Sequence, residues 1–103
     1  MQAVKRIEII SDAIELEKVI QALKAAGVKS YTVIRNVSSE GIRGTASDAD
    51  ITLSENDYVL AICSPDQLAP VVESLRPILN RFGGVCLISD ALEIRSVHCV
   101  TAP

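Results

Sequence analysis

The chain predicts an α+β, ferredoxin-like βαββαβ domain with an antiparallel four-stranded sheet. Two observations carry this reading. Two amphipathic stretches, near residues 13–26 and 65–82, alternate with β-branched runs in the order strand, helix, strand, strand, helix, strand. The aliphatic content is also high: 49% of the 103 residues are hydrophobic but only 3% are aromatic, so the core must be built of Ile, Val, Leu and Ala. Packing two helices on one sheet face gives this arrangement its single core.

Val4 to Ile10 (VKRIEII) reads as the first strand, with Ile7, Ile9 and Ile10 as β-branched members. Asp12, with Glu15 three residues on, fits a capping box. Leu16, Val19, Ile20 and Leu23 then recur at helical spacing, and Glu15, Glu17, Lys18, Gln21 and Lys24 take mainly the wet side. Gly27 supplies a left-handed helix end. Ser30 to Val37 (SYTVIRNV) is the second strand, and Tyr58 to Cys63 (YVLAIC) is a continuous apolar run expected near the sheet centre. Ser64-Pro65-Asp66-Gln67 is a helix start with Pro at the first position and Gln closing the box. Leu68, Val71, Val72, Leu75 and Leu79 form its stripe. Pro70 and Pro77 predict a kinked or broken helix, since each removes a backbone hydrogen bond. Gly83-Gly84 ends the element. Val85 to Ser89 is a further strand, and Leu92 to Val100 a short final strand or ordered tail.

Between the second and third strands lies VSSEGIRGTASDADITLSEN, residues 37–56, with no firm helix or strand signal. That is long against the usual ~4–6 residues, and such loops tend to carry function. Gly41, Gly44, Ser38, Ser39, Thr45 and Arg43 are parts for embracing an anion. Arg43 reads by default as a solvated side chain; as a clamp it pairs bidentately with phosphate. Gly83-Gly84 is a helix C-cap or a turn whose N–H groups face a phosphate. Arg95 is a surface ion pair or a third basic contributor. His98, the lone histidine, is a half-buried tail residue or a ligand neighbour.

Several function classes are disfavoured. The net charge of −3 gives no basic face for general nucleic-acid binding. No apolar run reaches the ~18 residues of a membrane span, and the first residues do not read as a signal peptide. The three cysteines, 63, 86 and 99, lack the spacing of a zinc site or disulfide framework. Cys63 and Cys86 read as buried thiols of a reduced, cytoplasmic protein. No nucleophile elbow, HExxH or P-loop is present, so no catalytic residue is assigned. The exposed edges and uncovered face of such a sheet, with so high an apolar share, predict oligomerisation.

Taken together, one domain over 1–103, a loop at about 37–56 and a C-terminal extension at about 92–103 resemble the PII signal-transduction superfamily, the loop corresponding to its T-loop. Gly27-Val28-Lys29-Ser30-Tyr31-Thr32-Val33 resembles the G-x-K-G-Y-T-V segment of the SbtB-type PII-like proteins of inorganic-carbon uptake. Gly41-Ile42-Arg43 is similar to their G-S-R, and Asn80-Arg81-Phe82-Gly83-Gly84-Val85 to their N-D-Y-A-G-I; His98 stands where they carry a histidine. The resemblance implies a non-enzymatic homotrimer binding ATP, ADP, AMP or cyclic AMP (cAMP) between subunits, with a divalent cation accompanying ATP. Carried over, the contacts are Thr32, Val33, Ile34, Gly41, Arg43, Phe82, Gly83, Gly84, Val85, Arg95 and His98. The implied partner is a bicarbonate transporter at the cytoplasmic membrane face, binding the protein reversibly. The redox motif C-G-P-x-G-C of some members is absent from the C-terminus. Two alternatives stay open: a carboxysome-associated PII-like sensor of bicarbonate and ADP or AMP, and a trimeric metal- or metabolite-binding module like the divalent-cation tolerance or ACT-type domains.

Overall fold

A computed structural model describes residues 1–40 and 54–96. The elements run β1 (Gln2–Asp12), a 3₁₀ turn (Ala13–Glu15), α1 (Leu16–Ala25), β2 (Tyr31–Ser39), β3 (Ser54–Cys63), a second 3₁₀ turn (Pro65–Gln67), α2 (Leu68–Phe82) and β4 (Val85–Glu93). All pairings are antiparallel and the sheet order is β2-β3-β1-β4. This is the expected βαββαβ arrangement. Its consequence for function is that β2 and β4 are the two edges, separated by β3 and β1.

Alternation decides the two faces. Ile7 and Ile9 of β1 and Val59, Ala61 and Cys63 of β3 are buried with Leu16, Val19 and Leu23 of α1 and with Val71 and Leu75 of α2. Residues of opposite parity line the other face: Ile10, Ile34, Tyr58, Leu60, Ile62 and Leu87. Neither helix covers them, and Ile34 and Leu87 are more than half exposed. In the middle of that apolar surface, Tyr58 Oη donates to Glu8 Oε2 at 2.7 Å and Arg6 pairs with Glu8 at 3.2 Å.

The helix ends follow sequence chemistry, with corrections. Asp12 accepts from the Ile14 N–H at 3.2 Å, but Glu15 does not stay on the wet side. It is buried and bonds Lys18 at 2.9 Å. Gly27, at φ +92°, closes α1 with its N–H on the Lys24 carbonyl and the Val28 N–H on that of Leu23, the paired bonds of a Schellman end. The second capping box forms as expected from Ser64 and Gln67. The prolines do not break α2, which is assigned as helix from Leu68 to Phe82. Pro70 falls in its first turn, where a backbone N–H has no intrahelical acceptor to lose. Pro77 leaves only the Glu73 carbonyl without its donor, on the exposed side.

Two boundaries also shift. β2 continues to Ser39 and β3 begins at Ser54, so the segment between them is shorter than residues 37–56. β2 achieves this by an irregularity between Ile34 and Val37, where Asn36 adopts φ +60°. β4 is a single strand through Glu93, pairing with β1 as far as Gln2, and replaces the expected strand at 85–89 and separate one from Leu92.

Candidate functional site

The sheet has two ends with different equipment. At one end, α1 delivers the chain through Gly27-Val28-Lys29-Ser30 into β2. Here β3 finishes at Cys63-Ser64 and β4 runs out toward Arg95. These segments form a cleft of about 210 Å³ that also reaches Val4, Ile62, Gln67 and Glu93. Its frame is set by hydrogen bonds. Gln67 Nε2 donates to the Gly27 carbonyl at 3.1 Å, while Gln67 Oε1 accepts from the Ser64 N–H at 3.0 Å. The capping box therefore also ties the α1–β2 turn to the start of α2. Arg95 Nε donates to Glu93 Oε1 at 2.9 Å. Cys63 is buried beside the cleft, and burial pushes its thiol up, against a smaller downward pull from Lys5. It is a protonated packing group there, as expected of a small hydrophobe.

At the opposite end, α2 stops on Gly83, whose N–H bonds the Leu79 carbonyl at 2.9 Å. Gly83 and Gly84 both have positive φ, +82° and +111°. Their surroundings differ. A Cβ on Gly83 would meet nothing within 4 Å, whereas one on Gly84 would lie 2.8 Å from the Ile10 carbonyl oxygen. Gly84 is thus required by close backbone approach inside the chain, and Gly83 is the glycine with open space in front of it. Phe82 is half-buried, with the Lys18 ammonium 4.7 Å and the Arg81 guanidinium 5.3 Å from its ring centroid. Arg81 is therefore engaged with the ring.

Also at this end sits a buried polar group that sequence reading missed. Ser11, Asn56 and Asp57 are each 1% exposed. Asp57 Oδ1 accepts the Asn36 N–H at 3.0 Å, and its Oδ2 lies 3.8 Å from Arg35 Nε. The Asp57 carboxylate thus pins the left-handed kink beyond which β2 resumes its pairing with β3. The only sequence hint of it is the pair Asn56-Asp57 directly before the apolar run Tyr58–Cys63.

The expected site residues divide accordingly. Thr32 and Ile34 are exposed and Val33 half-buried, all on β2. Phe82, Gly83, Gly84 and Val85 lie by the opposite edge, across three strand spacings of about 4.8 Å, or about 14 Å. Arg95 lies at the other end of β4, in the cleft. Gly41, Arg43 and His98 lie outside the described residues. Among the described residues, a single chain does not gather these groups into one place. Gln67, Ser64 and Glu93 were not anticipated as cleft residues; the capping motif marked the first two only as helix chemistry. Among the described residues, no cluster of three or more His, Cys, Asp or Glu side chains stands ready for a metal. No helix among them is long and apolar enough to cross a membrane.

Comparison with known proteins gives the lineage. The family model described as nitrogen regulatory protein P-II matches residues 4–98. The fold is similar to that of CPII, a PII-like protein from Thiomonas intermedia K12, in its structure with ADP, AMP and acetate. The identity is 26%, the TM-score 0.78, and 91% of each chain is covered. CPII with ADP and bicarbonate is similar at 26% identity and a TM-score of 0.75, over 90% of each chain. The B. subtilis GlnK–ATP complex shares the fold at 22% identity and a TM-score of 0.66, over 88% of this chain and 84% of that one. A search of curated proteins finds no match. With a family match spanning nearly the whole chain and an open four-stranded sheet of the same topology, this protein belongs to the P-II family of regulatory proteins.

Proposed function

We propose that this protein is a non-enzymatic signalling module that senses adenine nucleotides in clefts completed by a second copy of the chain. One observation carries the reading. The Gly27–Ser30 segment, which gave the sequence its sharpest family resemblance, lines the same cleft as Arg95. At about 210 Å³ that cleft is smaller than the ~300–1,000 Å³ of sites that enclose a small molecule. The glycine turn at Gly83-Gly84, with open space before Gly83, is the natural complement, and within one chain it lies at the far end of the sheet. A neighbouring copy brings the two ends together. The uncovered apolar face, with Ile34, Ile62 and Leu87, is the surface on which copies associate, and three copies in a closed ring satisfy every cleft.

In this reading Thr32, Val33, Ile34, Phe82 and Val85 flank the nucleotide, and Arg43 reaches the distal phosphates from the segment between β2 and β3. Gly41 and His98 complete the set of ligand neighbours. Binding changes the affinity for a membrane partner, a bicarbonate transporter, through unequal affinity for two states of that segment. The protein acts in the cytoplasm. The alternative of a sensor of bicarbonate with ADP or AMP draws support from CPII, whose structure was determined with ADP and bicarbonate.

Calorimetric titration with ATP, ADP, AMP and cAMP tests the reading. Saturable binding of at least one is expected, with Arg43→Ala weakening ATP more than AMP or cAMP. Absence of binding by all four overturns it. A bicarbonate effect on ADP or AMP affinity would favour the alternative.

A further inference from the structure

The charges of the cleft carry an inference about which nucleotide it takes, and it rests on the reading just given. Of the residues lining the cleft, three are charged: Lys29, Glu93 and Arg95. Glu93 and Arg95 are bonded to each other through Oε1 and Nε at 2.9 Å. Glu93 ends β4 opposite Gln2, on the same sheet face as Val4 and Ile62, which also line the cleft. Its side chain is 20% exposed, against 53% for that of Arg95. The carboxylate is therefore the more enclosed member of the pair and stays beside the guanidinium when a ligand arrives. The cations beside the glycine turn, Lys18 and Arg81, both lie against the Phe82 ring, 4.7 and 5.3 Å from its centroid.

We propose that Glu93 is a specificity-determining residue: its carboxylate, bonded to Arg95, biases the cleft toward adenine nucleotides with a single phosphate group and against di- and triphosphates. A phosphate that pairs with Arg95 must share that cation with Glu93. One phosphate charge is met by Arg95 and Lys29 together. Each further phosphate brings negative charge toward a carboxylate that it cannot displace. At a separation of about 7 Å, one added unit charge loses about threefold in affinity even in water-like surroundings, and more where the copies exclude water. The effect is graded by ligand charge, which distinguishes it from a change in cleft shape, and salt weakens it because the Debye length is ~8 Å at physiological ionic strength.

The test is calorimetric titration of the assembled protein with cAMP, AMP, ADP and ATP in metal-free, low-salt buffer. Wild type is compared with Glu93→Gln, which keeps the shape and an acceptor for Arg95, with Glu93→Ala, and with Glu93→Asp. In Gln and Ala, ATP affinity should rise at least about threefold relative to AMP, with ADP intermediate, and the gain should shrink at high salt. Asp should rank the nucleotides as wild type does. An equal change for all four ligands, or weaker ATP binding in Glu93→Gln, overturns the proposal; the latter would make Glu93 a support that merely positions Arg95. Wild-type protein that binds none of the four overturns the nucleotide reading itself and this inference with it.

Discussion

Replacing Gly84 by alanine separates what the glycine pair does for the fold from what it does for a ligand. Gly84 sits at φ +111°, and a Cβ there would lie 2.8 Å from the Ile10 carbonyl oxygen and 3.5 Å from Ser11 Cα. Both neighbours are backbone of the central strand β1, so neither yields by turning a side chain. The left-handed conformation costs an L-residue about 1–2 kcal/mol. Relieving the overlap requires the start of β4 to move away from β1 where Val85 pairs with Ile10, which weakens a ladder hydrogen bond worth about 1 kcal/mol. Gly84→Ala should therefore lose about 2–3 kcal/mol. Gly83→Ala meets only the conformational cost of φ +82° and ψ −172°, a region almost exclusive to glycine, about 1–3 kcal/mol, because nothing lies within 4 Å of the added carbon. Urea denaturation at one fixed protein concentration measures both, the concentration being held because association shifts apparent stability. A Gly84→Ala loss below about 2 kcal/mol would refute the close-approach reasoning. Where Gly83→Ala folds, a loss of nucleotide affinity in it marks Gly83 as the ligand-facing member of the pair.

Two further outcomes are expected. Asp57→Ala should destabilise by about 0.5–1.5 kcal/mol, because it strips the partly buried Asn36 N–H of its acceptor. Asp57→Asn should cost less, and equal losses in the two would remove the case for the carboxyl-to-amide bond. Tyr58 should ionise above its ordinary value of 10.0, since its hydroxyl donates to Glu8 and loses that bond on ionisation, with partial burial and the Glu8 charge adding to the shift. The folded state favours the neutral phenol, so this contribution is complete below pH 10 and fades as pH rises above it. Ultraviolet titration in a Tyr31→Phe background reads the transition directly, and a midpoint at or below 10 would contradict the bond.

What the sequence made legible was whatever repeats. The helical spacing of Leu16, Val19 and Leu23 and of Val71 and Leu75 located both buried stripes, and β-branched runs located the four strands in order. The misplaced features depend on tertiary partners. Pro70 looks disruptive until the 3₁₀ turn at Pro65–Gln67 places it in the first turn of α2, where no bond is lost. Glu15 looks solvent-facing until the exposed Lys18 is seen to reach back and bond its buried carboxylate. The extension of β2 past Ile34 depends on a buried Asp57, and an acidic residue in a strand argues for exposure when read alone. The site was legible as residue types and not as a place. Gly83, Gly84 and Arg95 stand out as residue types, but only the strand order reveals that they lie at opposite ends of one sheet.

Complementation between copies tests that geometry most directly. Arg95→Ala damages the cleft end of the sheet and Gly83→Val the turn end, so each homo-oligomer should bind adenylates weakly at every site. If each site takes one end from each of two neighbours in a ring, unfolding and refolding an equal mixture should restore about one cleft in four to wild-type composition. Calorimetry should then show a high-affinity fraction near that value. A mixture that binds no better than the two variants measured separately would contradict a site shared between copies.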